Sequence, residues 1–177
     1  MALDSDNVRV AVTGAVYVGA TSTAAPTSSS SALAAGFEDL GYVSADGITE
    51  TIDKTTSQIR AWQNGSLVRE VVSEGTYSVT MTFIETKEEV LALYFGASIV
   101  DGELDGDPTK SGGRKSFVID VVDGSVVERT YIPAGEVTAV GERVLASGEA
   151  IGYNVTVTAY ADTSNVTFKK WFSTLEV

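Results

Sequence analysis

The chain of 177 residues contains neither cysteine nor histidine. The first absence excludes disulfides and thiolate metal sites. The second removes the commonest general base and the commonest transition-metal ligand together. Basic residues are scarce as well: 12 against 24 acidic ones, for a net charge of −12. A protein that grips nucleic acid neutralises phosphates with a basic footprint, and this balance has the opposite sign. Long hydrophobic runs are missing too. The longest mostly apolar stretch, residues 90–100, is interrupted by Gly96 and falls short of the ~20 residues that span a bilayer. The opening MALDSDNVRV lacks a basic region followed by an apolar one, so the expectation is a soluble chain made in the cytoplasm with no membrane partner.

Hydrophobic residues make up 44%, enough for a real core, and the length suits one domain over 1–177. Val8, Val10 and Val12 alternate with Arg9, Ala11 and Thr13, which predicts a first strand running to Tyr17 and Val18 and ending at Gly19. Three long assembly loops are expected, at 19–36, 53–75 and 101–115. The first (its core is ATSTAAPTSSSSALAAG) is of low complexity: a flexible loop, or one ordered by a neighbour. The second carries short extended pieces at 58–62 and 67–73 around an Asn64-Gly65 turn. In 76–85, Tyr77, Val79, Met81 and Phe83 fall on one face and Thr76, Ser78, Thr80 and Thr82 on the other. That is period two, with an apolar face for a core and a hydroxyl face for solvent or a polar lumen. Thr86-Lys-Glu-Glu89 reads as a capping box for a helix over about 86–95, closed by Gly96. Strand pairs flank Asp123-Gly124-Ser125, and further strands are expected at 136–145, 151–161 and 166–172. The fold class is mainly β: an antiparallel sandwich or barrel with one flanking helix.

Catalytic and metal constellations are weak. Asp101, Glu103, Asp105 and Gly106 resemble the first half of a calcium loop, but position twelve is Gly112. Glu70 with Glu74, or Asp120 with Glu128, could be named as carboxylate pairs, although solvated strand faces explain them more simply. No nucleophile elbow and no phosphate-cradling glycine motif occurs. Trp62, Trp171, Tyr131 and Tyr153 are read as core or interface residues before a sugar platform. Three glycosylation sequons, at Asn64, Asn154 and Asn165, are read as accidental without a secretory signal. The expectation is no enzyme, no cofactor and no metal.

Leu40-Gly-Tyr-Val-Ser44, Asp46-Gly-Ile-Thr49, Ile59-Arg-Ala-Trp62, Leu67-Val-Arg69, Thr82-Phe-Ile-Glu-Thr86 and the helix end Ala92-Leu-Tyr-Phe-Gly96 occur in an order that resembles the major tail tube proteins of long-tailed (siphovirus-like) bacteriophages. The resemblance is clearest over 40–96. It implies a structural virion protein that joins edge to edge into hexameric rings stacked as a tail tube. The tape measure protein, a tail terminator and baseplate or distal tail proteins would be its partners. Genomic DNA would pass without tight binding, and assembly would occur in the host cytoplasm. Within that picture Glu70, Asp120 and Glu128 are expected to line an acidic lumen. Ile59, Trp62, Val68, Asp105, Arg114 and Lys115 are expected at contacts between subunits or rings. The alternative reading is a monomeric or filamentous β-sandwich for binding, adhesion or capsid decoration, with calcium as an option.

Overall fold

A computed structural model describes residues 7–174, so the beginning of the N-terminal segment lies outside the described residues. Ten strands and one helix follow in chain order: β1 (Thr13–Gly19), β2 (Phe37–Asp39), β3 (Val43–Arg60), β4 (Leu67–Phe83), α1 (Glu88–Phe95), β5 (Ile99–Val100), β6 (Glu103–Leu104), β7 (Lys115–Asp123), β8 (Val126–Val140), β9 (Tyr153–Tyr160) and β10 (Lys169–Phe172). The main sheet is antiparallel in the order β2-β1-β7-β8-β9-β4-β3, and β10 pairs with the first half of β8. One edge, β2, ends at Asp39, and the opposite edge, β3, begins at Val43. Only three residues join them, so the sheet must curl until its edges approach. Hydrogen bonds from Leu40 N to Val16 O and from Ile84 N to Tyr42 O fasten the seam.

Curling puts one face of β1, β7, β8, β9 and the inner half of β4 inside. Val16 and Val18 of β1, Phe117 and Ile119 of β7, Ile132 and Val137 of β8, Tyr153, Val155 and Val157 of β9, and Tyr77, Val79, Met81 and Phe83 of β4 form one core. The alternation from Tyr77 to Phe83 is therefore real: the apolar residues are buried and Ser78, Thr80 and Thr82 half-buried. Because β4 and β9 pair Tyr77 with Ala159, Val79 with Val157, Met81 with Val155 and Phe83 with Tyr153, both strands bury the same face.

The helix closes one side of this core with Val90 and Leu93. Its start differs from the expected capping box. The N-cap is Lys87, which makes no side-chain capping bond, and the Thr86 hydroxyl pairs with the Tyr153 hydroxyl at 3.1 Å. A tertiary partner thus takes the oxygen that would have capped the helix. Glu88 and Glu89 still favour the positive end of the helix dipole. Gly96 ends it at φ 66°, the left-handed cap anticipated.

Two further expectations change. Regular pairing of the first strand begins at Thr13, opposite Val122, because β7 ends at Asp123. Val8, Val10 and Val12 alternate but stay exposed, with Val10 N donating to the Asp123 carboxylate. The segment 53–75 is not a loop: apart from residues 61–66 it is the paired outer part of β3 and β4. By contrast, Gly124 and Ser125 turn β7 into β8 as anticipated, with Gly124 at φ 61°. The strand expected after that turn and the separate one expected at 136–145 fuse, through residue 140, into β8. Pro133 sits where the β7 register shifts, so its missing N–H falls at an irregularity in the ladder.

At the seam, Gly41 has φ 81°, and an added Cβ would collide with the Glu85 carboxylate that accepts from Tyr42 N. A non-glycine residue held there costs about 1–3 kcal/mol from its backbone conformation alone. Gly41→Ala should lower the thermal midpoint by roughly 2–4 °C per kcal/mol in a chain of this size. An unshifted melt would contradict the seam as a fixed part of the fold.

Candidate assembly surface

Beyond the body of the sheet, β3 and β4 continue as a two-stranded arm. Asp53 pairs with Thr76 at its root, Gln58 with Glu70 further out, and Arg60 with Leu67 near the tip. Irregularities between Thr55 and Thr56 and between Ile59 and Arg60 bend it. Asn64 and Gly65, at φ 58° and 64°, make the tip turn, and Ala61 N bonds Ser66 O. The Thr56 hydroxyl donates to Glu70 at 2.7 Å, and the Ser73 hydroxyl to Thr55 O at 3.0 Å. These bonds all lie within the ribbon.

The arm nevertheless carries apolar side chains in the open. Ile59 is 53% exposed, Val68 66% and Trp62, at the tip, 95%. Leu67, Val71 and Val72 are exposed as well. By register, Ile59 and Val71 point to one side and Val68 and Val72 to the other, so neither face is purely polar. An isolated two-stranded ribbon is marginally stable in water. Its outer edges present unpaired backbone groups of the kind that recruit another chain. Three of the six residues expected at subunit contacts, Ile59, Trp62 and Val68, thus share this arm.

The other three do not join them. Asp105 is exposed between β6 and the 107–110 turn. Arg114 lies 4.4 Å over the Tyr160 ring and 3.9 Å from Glu136, and Lys115 opens β7 opposite Gly135. The divided charge of 101–115 is therefore answered partly at home. Lys110 faces Asp107 at 3.9 Å, and the Thr109 hydroxyl and amide hold the Asp107 carboxyl below its ordinary pKa. Asp101 and Gly102 make the turn between β5 and β6. Among the described residues, no three acidic side chains are grouped as a metal ion would need.

Nor does the structure bring together Glu70, Asp120 and Glu128. Asp120 lies opposite Arg129, whereas Glu128 lies opposite Val121, so successive side chains send the two carboxylates to opposite faces. Both Asp120 oxygens accept from the Arg129 guanidinium at 2.7 Å. Glu128 receives Lys170 at 2.7 Å, and the same ammonium reaches Glu50 at 2.7 Å. Glu70 is exposed on the arm. Neither proposed carboxylate pair forms a site: Glu70 and Glu74 ride on the arm, and Asp120 and Glu128 are each committed to a cation. Of the aromatic set, Tyr131 and Tyr153 are buried, and Trp62 is alone at the arm tip.

Two features escaped sequence reasoning. Arg129, 6% exposed, also donates to Ser28 O at 3.2 Å and Ser31 O at 2.6 Å. The low-complexity segment 20–36 is therefore held by its own chain, with Ser29 buried, and needs no neighbour to be ordered. Nothing in the composition of that segment signals a partner some hundred residues away. The second is the clamp of Lys170 between Glu50, near the arm root, and Glu128. Burial lowers the Lys170 pKa, but the bonds to Glu128 and Glu50 outweigh it, and the net shift is upward. Nearby, burial first and the Glu50 charge second push Tyr77 well above the ordinary tyrosine value. A raised lysine pKa contributes stability fully below the ordinary 10.5 and loses it as pH rises through the folded value. The stability gap between the natural chain and Lys170→Met should therefore hold steady from neutrality up to that ordinary value and narrow above it. A gap that closes well below it in denaturant titrations would contradict the clamp.

Comparison with known proteins agrees with this picture. A family model described as phage tail tube protein matches residues 1–175. No curated protein sequence matches the chain. Among solved structures, the sheath/tube terminator of the extracellular contractile injection system PVC superposes with a TM-score of 0.55 at 11% identity, covering 94% of this chain and 99% of that one. The PVC sheath-tube complex gives 0.53 at 10% identity, covering 96% and 98%. The tube terminating cap of the anti-feeding prophage gives 0.51 at 12%, again covering 96% and 98%. At such identities the likeness concerns the fold, and it extends over nearly the whole chain. With the family match over almost every residue, the chain belongs to the phage tail tube protein family and is a structural protein of the virion tail.

Proposed function

We propose that the chain associates with copies of itself into hexameric rings that stack into a tube. The observation that carries this reading is the arm, a ribbon with exposed apolar residues on both faces and no role in its own core. Closed rings pair or cover strand edges that a monomer must leave open. An arm that projects beyond the paired body of its sheet can reach a neighbouring copy, where burying Trp62 and its apolar companions would supply the contact energy. During assembly, in the host cytoplasm, the tube would enclose a tape measure protein. A terminator and baseplate or distal tail proteins would close its ends.

The tube would do no chemistry of its own. Genomic DNA would pass through a wall that does not bind it, in keeping with a net charge of −12. Sedimentation velocity on the purified chain tests the association directly. Species of six subunits and their multiples should grow with concentration, and a single monomer peak across the range would refute the reading.

A further inference from the structure

We infer that the channel wall is the hydroxyl face of β3, β4, β9 and the end of β8, and not the acidic trio of Glu70, Asp120 and Glu128. This rests on the tube reading above and assigns one face to its interior. The register places the same chemistry on adjacent strands. Ser78, Thr80 and Thr82 of β4 stand opposite Thr158, Thr156 and Asn154 of β9. On the other side, Ser78 and Thr80 stand opposite Thr51 and Thr49 of β3. On β4 and β9 these alternate with the buried core residues, and pairing carries the same face onto Thr49 and Thr51 of β3, so they share the outer face of the curled sheet.

The hydroxyls are bonded mainly to one another. Thr80 meets Thr156 at 3.0 Å, Thr138 meets Thr158 at 2.7 Å, and the Asn154 amide donates to Thr82 at 2.9 Å. A face so satisfied offers few free donors to a passing phosphate. Its charged members by register are the acids Asp53 and Glu136, opposite Thr76 and Thr158. Across positions 49–53, 76–82, 154–160 and 136–138, no lysine or arginine points to this side. Arg114, at the margin, is held over Tyr160 and faces Glu136.

Two physical arguments make this face a channel wall in place of a contact. The core of a protein interface is built from apolar and aromatic residues, whereas the paired residues of this face are hydroxyls and an amide; exposed apolar side chains cluster instead on the arm and at Val8, Val10, Val12, Val144 and Leu145. Retention of DNA needs cations that displace counterions from its phosphates, and Arg114, at the margin of this face, is already held over Tyr160 and against Glu136. The wall would be smooth because it is neutral to weakly acidic and internally hydrogen-bonded. Charge repulsion by a dense carboxylate lining is not required.

Because the chain contains no cysteine, a single introduced one is a unique label. Thr51→Cys and Thr80→Cys would be prepared separately, and each treated before and after tube assembly with a small maleimide and with a maleimide carried on a globular protein. A channel position should react with the small reagent in both states and lose the bulky reaction once tubes have formed. Continued bulky labelling of intact tubes would place the face outside. Loss of the small reaction as well would place it between subunits, and either result overturns the assignment. Failure of the unsubstituted chain to form tubes in micrographs would instead contradict the tube reading, and the assignment with it.

Discussion

Arg129→Met should cost about 3–5 kcal/mol of folding stability, because it strips a buried carboxylate of its counter-charge. The Arg129 and Asp120 side chains are only 8% and 13% exposed, and the bond between them is bidentate. Removing the guanidinium leaves Asp120 beneath a loop whose carbonyls at Ser28 and Ser31 lose the same donor. A second consequence is local. Segment 20–36 should become open to limited proteolysis while the core still melts cooperatively. Adding Asp120→Asn should recover part of the loss, since no charge then remains unpaired, and the coupling between the two sites isolates the pair. Calorimetry and a digestion time course check both parts. A single variant within about 1 kcal/mol of the natural chain would mean that solvent already screens the pair.

Shortening the arm should have the opposite profile, leaving the fold intact and abolishing assembly. Asp53 and Thr76 are directly paired, so residues 54–75 can be replaced by Asn-Gly, the turn that two paired strands favour. Exposed ribbon contributes little to a core it does not touch, so stability should change by about 1 kcal/mol or less. Tubes should fail to form at any attainable concentration. A milder test is Trp62→Ala. If the tip seats in a neighbouring copy, losing a buried aromatic anchor costs about 2 kcal/mol or more, which raises the critical concentration roughly thirtyfold. Tubes assembling at the natural concentration from the shortened chain would remove the arm from the account.

The parts of this molecule legible in sequence are those fixed by local periodicity. The alternation from Tyr77 to Phe83, the two-residue turn after Asp123 and the left-handed cap at Gly96 each write their geometry into adjacent residues. What was misread depends on register or on distant partners. The Thr86 motif is a sound capping box until Tyr153, 67 residues away, takes its hydroxyl. Residues 53–75 resembled a loop because an arm open on both faces has no reason to alternate cleanly. The positions of Asp120 and Glu128 were not legible either, since a hairpin register that pairs Asp120 with Arg129 sets them on opposite faces of the sheet. The contact residues divide along the same line. Ile59, Trp62 and Val68 are exposed together on the arm, and apolar residues beside a turn carry a local signal, while the partners of Arg114 lie on other strands.

The proposed role of the exposed arm is to join copies of this chain into a tube. Electron cryo-microscopy of the purified protein under assembling conditions tests it most directly. Stacked six-fold rings should appear, with each arm buried against a neighbouring copy and the hydroxyl face surrounding an open channel. Tubes whose arms project free into solvent, or fields of single unassociated molecules, would contradict it.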